Sequence, residues 1–168
     1  MLTTLLLLSL SATPPAQPAN PDGTGSTTLE PFFRQPDRME IFIADTPKFL
    51  IKKGKVEKEP EKYPSIGSFA IKSKGVPLSA QERQAIAQTW VPPQKIDPES
   101  VKMCIFNPDI ALRFWRGKSW VDAVVCFSCS EAAFYDEKGQ PVDGGNFKNF
   151  SVLSEIAKKK FPQEKFGP

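Results

Sequence analysis

Three cysteines, Cys104, Cys126 and Cys129, fall in one stretch of a 168-residue chain that contains no histidine. Without an imidazole there is no Ser-His-Asp or Cys-His nucleophile, no helical zinc-protease motif, and none of the usual histidine-bearing catalytic zinc or iron sites. Any thiol or soft-ligand chemistry must therefore be built from these three sulfurs. Phosphate-binding loops of the GxxxxGK or GxGxxG type are also missing, and Gly144-Gly145 before Asn146 reads as a turn.

Three cysteines in an exported chain leave one disulfide plus a free thiol, three free thiols, or an intermolecular bridge, and composition does not choose among them. Cys126-Phe-Ser-Cys129 has the spacing of a redox pair, whose chemistry needs a thiolate held at the start of a helix. Only nine residues separate Cys129 from Gly139, too few for a long helix. In a continuing strand, residues three apart point to opposite faces and do not bridge without a turn. The pattern thus reads as buried structural cysteines. In a simple meander Cys104 and Cys126 are about 9 to 10 Å apart across an intervening strand. A bridge between them then requires neighbouring strands, or a bend at Cys104 before Pro108. The alternative is a thiol or metal function, with zinc held by Cys104, Cys126, Cys129 and a carboxylate such as Asp109. Asp122 reads as an ion-pair partner of Arg113 or Arg116 on the adjacent strand. Trp115 and Trp120, flanking a tight turn, are the candidate partner-binding residues, because rigid exposed aromatics suit protein recognition.

The elements that must position these residues follow from periodicity and punctuation. Strands are expected over 39–44, 49–53, 66–72, 101–106, 111–116, 119–127 and 131–136. The first two are separated by Asp45-Thr-Pro47 and read as a hairpin, followed by a charged loop over 54–63. Arg116-Gly-Lys-Ser119 reads as a two-residue hairpin turn with Gly117 at positive φ. In the 119–127 strand both faces are apolar near the end, which makes it a central strand covered on both sides. Ser79-Ala-Gln-Glu82 is a capping box that starts a helix closed by Pro92-Pro93, with Ile86 and Trp90 inward and Glu82 outward. A second helix is expected over 151–161, and its Lys158 to Lys160 run complements the negative end of the dipole.

Residues 1–12 are leucine-rich and end in Ser11-Ala12, as in a secretory signal peptide, though no Lys or Arg precedes the apolar run. They are too short for a stable membrane span. Residues 13–36 hold six prolines among small polar residues and read as a disordered tether. The folded domain is then 38–168. A net charge of +3, from 22 basic and 19 acidic residues that are mostly intermixed, is a solvated surface and not a nucleic-acid footprint.

The block from Cys104-Ile-Phe-Asn-Pro through Phe114-Trp115-Arg116, with Val121-Asp-Ala-Val-Val-Cys-Phe-Ser-Cys129 after it, resembles a C-x-F-x-P…C-F-x-C pattern of small uncharacterised bacterial proteins, often exported. The resemblance covers about Ile66 to the C-terminus and implies a shared fold and export without assigning a reaction. Some members carry His after the proline turn, where this chain has Asp109-Ile110, so no metal role is carried over. The sequence therefore points to an α+β protein with a mainly antiparallel sheet of about six or seven strands and two packed helices. It is expected to be secreted or periplasmic, and to act as a non-catalytic binding or structural module for an unknown protein or small ligand.

Overall fold

The computed structural model describes residues 29–47, 49–52, 55–58, 62–94 and 104–166. The chain order begins with helix α1 (Glu30–Arg34) and strands β1 (Arg38–Asp45), β2 (Phe49–Lys52), β3 (Lys55–Lys58), β4 (Ala70–Ile71) and β5 (Val76–Pro77). Helix α2 (Ala80–Thr89) and β6 (Trp90–Val91) follow, then β7 (Ile110–Arg116), β8 (Ser119–Cys126), β9 (Glu131–Asp136), β10 (Pro141–Val142), β11 (Asn146–Phe147) and helix α3 (Phe150–Lys160). Strands β10-β9-β8-β7-β1-β4 lie in that order, with β5 also on β1, in an antiparallel seven-stranded sheet.

Side chains alternate across this sheet with the period of two that strands impose. On one face Met39, Ile41, Leu112, Phe114, Val121, Ala123, Val125 and Phe134 meet Phe33 of α1, Ile86 of α2, and Leu153 and Ile156 of α3 in the main core. On the other face Ala44, Ala111 and Val124 are covered by Ile66 and Ile71, with Phe69, Phe106 and Tyr135 packed around them. The central, doubly covered position expected of β8 is the observed one: it lies between β7 and β9 and is buried from Val121 to Cys126. Gly117 turns the β7–β8 hairpin at φ +57°, as expected.

The tether was expected to run to Pro36, yet Glu30–Arg34 is helical and Phe33 is 0 % exposed. Phe33 stacks on Trp90 with ring centroids 5.0 Å apart and meets Phe114 and Phe134 edge-on, each at 5.1 Å. One aromatic side chain thus recovers enough apolar surface to order a short proline-containing segment. The signal-peptide reading and the tether up to residue 28 lie outside the described residues. Strand β1 does not pair with β2. Its neighbours are β7, β4 and β5, while β2 pairs with β3 inside the stretch read as a loop. Of the strand expected over 101–106, residues 104–106 are not in a strand and 101–103 lie outside the described residues.

Helix α2 starts with the expected capping box. The Glu82 amide donates to Ser79 Oγ at 3.2 Å and the Ser79 amide donates to Glu82 Oε2 at 2.8 Å. Glu82 was expected outward, but it is only 9 % exposed, because α3 brings Lys160 Nζ to 2.9 Å from Oε2. Burial pushes this carboxyl up. The Ser79 amide, the Lys160 ammonium and the Ser79 hydroxyl outweigh it and hold Glu82 at about 2, against 4.5 ordinarily. Since the folded value lies below the unfolded one, the stabilisation is complete above about pH 4.5 and is lost as pH falls towards about 2. Allowing for solvent screening at this rim position, it amounts to about 1–2 kcal/mol. Glu82→Gln is expected to lose that amount at neutral pH in urea unfolding, with the gap to wild type closing on acidification. A constant gap across the acid range would contradict the assignment.

Candidate functional site

The sulfurs are placed by two loops. Before β7, the 104–109 segment is pinned by Phe106 against Phe69, with centroids 5.4 Å apart, and by Pro108, which is buried. Its last residue, Asp109, donates its amide to the Val125 carbonyl at 2.8 Å and accepts the Phe127 amide on Oδ2 at 2.7 Å. After β8, the chain reverses through 127–130. There the Ser130 amide donates to the Phe127 carbonyl at 3.2 Å, and Ser130 takes φ +53°, unusual for a residue with a side chain. Asp109 therefore holds the loop before β7 against the end of β8.

Cys104 and Cys129 form a disulfide with Cα atoms 5.9 Å apart, inside the usual range of about 4.4–6.8 Å. The bridge weighed between Cys104 and Cys126 is not the one formed, because the turn after β8, and not β8 itself, comes beside Cys104. Cys126 is a free, fully buried thiol whose sulfur accepts the Cys129 amide at 3.3 Å and lies 3.3 Å from Ser128 Oγ. Burial fits the structural reading for Cys126 and Cys129, whereas Cys104 is exposed. A zinc site of three thiolates plus Asp109 is not what this arrangement presents. Two of the sulfurs are bonded to each other, the Asp109 carboxylate is engaged by an amide, and no group of three His, Cys, Asp or Glu suited to a metal occurs among the described residues.

The second cluster lies on the sheet face opposite the helices, towards the β7–β8 turn. Register places Arg38 opposite Trp115, Glu40 opposite Arg113, Trp115 opposite Trp120, and Arg113 opposite Asp122. The indoles of Trp115 and Trp120 meet at 4.9 Å, tilted by 48°. The Arg38 guanidinium lies over Trp115 at 4.2 Å, and the Arg113 guanidinium over Trp120 at 4.9 Å. Trp115 Nε1 donates to Glu40 Oε2 at 3.2 Å. Both indoles are half-buried and Arg38 is exposed, so this end of the face is open while the other end is covered.

Asp122 pairs with Arg113, one of its two expected partners, through Nε–Oδ1 and Nη2–Oδ2 contacts of 2.7 and 2.8 Å. Burial pushes the Asp122 carboxyl above its ordinary value, with the Arg113 guanidinium pulling the other way. This two-point pair fixes the guanidinium in the plane where it can stack on Trp120. Asp122→Ala leaves Arg113 without its partner on a partly buried face. The expected loss is about 2 kcal/mol in urea unfolding, below the range for fully buried pairs because Arg113 retains some solvent. The double change Asp122→Ala with Arg113→Met is expected to restore most of it.

Sequence reasoning named the indoles and the ion pair but not Arg38 or Glu40. Their signal was the alternation of Arg38, Glu40 and Phe42 with Met39, Ile41 and Ile43, which puts a polar–aromatic row on the face opposite the core. Comparison with family models finds no match, and neither the curated proteins nor the solved structures include a match to this chain.

Proposed function

We propose that this chain is an exported, non-catalytic binding module that docks an acidic, aromatic-bearing segment of a partner protein on the face around Trp115 and Trp120. The stack of Arg38, Trp115, Trp120 and Arg113 carries this reading. Two rigid indoles offer flat contact area at low entropic cost, and such residues with arginine dominate protein-recognition hot spots. Charge complementarity sets the partner's chemistry. Among the described residues Arg38 pairs with no carboxylate and is exposed, whereas the Glu40 and Asp122 carboxylates are turned to Trp115 and Arg113, so an acidic side chain of the partner is placed on Arg38. Export to a secreted or periplasmic location is supported by the leucine-rich start and by a disulfide, a bond that persists in oxidising compartments.

The test uses tryptophan emission. Trp90→Phe silences the buried indole and leaves Trp115 and Trp120 as reporters. Titrated with an array of peptides pairing Asp or Glu with Phe, this variant is expected to show saturable emission changes that Arg38→Ala weakens and high salt reduces. If no peptide of the array alters the emission, or if Arg38→Ala leaves binding intact, the proposed face is wrong.

A further inference from the structure

A groove of about 370 Å³ lies between the end of α1 and one side of α2, a volume at the small end of the range for small-molecule sites. None of its lining residues belongs to the Trp115–Trp120 face. Arg34 contributes a guanidinium from α1 and Arg83 another from α2, and among the described residues no Asp or Glu lines the groove. Arg34 gives only Nε to Glu30, at 3.4 Å in an exposed pair of the kind that contributes little. Arg83 pairs with no carboxylate among the described residues. Its Nη1 donates to the Leu78 carbonyl at 3.1 Å.

Both cations and both walls are held by the fold itself. The Arg34 guanidinium lies over the Trp90 ring at 4.7 Å, and the Leu78 carbonyl anchors Arg83. Phe33 stacks on Trp90 where α2 ends, and Arg116 Nη1 donates to the Gln35 carbonyl at 2.9 Å. Such prior ordering lowers the cost of binding.

We infer that this groove binds a small dicarboxylate, with one carboxylate on each arginine. A planar guanidinium meets a carboxylate through two parallel N–H donors, so the site calls for that group. The groove exceeds what a lone oxyanion fills, and its cations come from opposite walls, which favours a ligand charged at both ends. The helical spacing of Ala80, Arg83, Gln84, Ala87 and Gln88 puts them on one stripe of α2. The two alanines add no bulk beyond Cβ to that wall. Gln84 and Gln88, both exposed, offer amide donors and acceptors to a polar ligand body.

The test is a nitrogen-15 NMR titration of the full chain at neutral pH and constant ionic strength. The probes are straight-chain dicarboxylates from malonate to adipate, acetate, and inorganic phosphate. At least one dicarboxylate is expected to bind about ten-fold or more tightly than acetate and phosphate, with saturable shifts at the amides of 34–36 and 80–88. Arg34→Gln and Arg83→Gln are each expected to bring that ligand down to the level of acetate. Gln84→Glu puts a carboxylate into the groove from an exposed helical position, and is expected to weaken binding about ten-fold with the fold intact, so it decides even where an arginine variant unfolds. Arg38→Ala is expected to change nothing here, which keeps this site separate from the docking face. Dicarboxylates binding no tighter than acetate or phosphate, shifts confined to other residues, or full affinity in Gln84→Glu overturn the inference.

Discussion

Replacing Phe33 by alanine is expected to lower unfolding free energy by about 3–5 kcal/mol, the cost of removing a fully buried phenyl ring. The side chain lies between Trp90, Phe114 and Phe134, so its loss opens a void bounded by three rings from a strand-flanked helix end and two strands. Those rings are held on other sides. Trp90 Nε1, for instance, donates to the Gly144 carbonyl at 2.7 Å, which limits how far the site can collapse around the gap. Equilibrium urea unfolding followed by far-ultraviolet circular dichroism measures the loss. A chain beginning at Arg38, where the sequence places the domain start, is expected to be at least as destabilised, because it also lacks the backbone that Arg116 holds. A Phe33→Ala midpoint equal to that of wild type would show that α1 does not contribute to the core.

Opening the Cys104–Cys129 bond carries the second-largest expected effect. The cysteines are 25 residues apart, and the loop-entropy relation for such a separation gives about 3.5 kcal/mol. Cys104→Ser and reduction of the wild type with excess dithiothreitol are expected to shift the urea midpoint to the same lower value, because both remove the same constraint from the unfolded chain. Reduction of the Cys104→Ser variant is then expected to change nothing further. A wild-type midpoint insensitive to reductant would contradict the bridge. Since Cys104 is exposed, a soluble reductant reaches one sulfur without prior unfolding, and loss of stability is expected to precede any loss of secondary structure.

The parts of the fold legible in the sequence are those encoded by neighbours along the chain. The capping box at Ser79 and Glu82 satisfies two amides within one turn of helix. The β7–β8 hairpin depends on a glycine between two strands that pair directly across it, and β9 is read from its own composition. The illegible parts depend on partner choice. Nothing in Asp45-Thr-Pro47 says that β1 will take β7 as a neighbour, a strand that begins at Ile110, and not β2. The same blindness concealed the Cys104–Cys129 pairing, because Cys104 is weighed in sequence against Cys126 on the strand, whereas the turn that follows is what comes beside it. Helix α1 failed for a different reason. Its prolines and polar neighbours outweigh Phe32 and Phe33 in a local reading, and the contact that orders it comes from residues far along the chain. Both indoles of the candidate face were named from sequence, while Arg38, which lies over Trp115, emerged only once β1 was set beside β7.

The anchoring of α1 also constrains the order in which the protein assembles during synthesis. Arg116 donates to the carbonyls of Pro31 and Gln35 across sequence separations of 85 and 81, and the Gly117 amide donates to Asp37 across 80. The residues that leave the ribosome or a translocation pore early therefore wait for a hairpin made far later, and β1 waits with them for its place beside β7. The native contacts of α1 are therefore completed only after the β7–β8 hairpin exists, and an N-terminal segment emerging alone lacks the Phe114 and Phe134 rings that enclose Phe33.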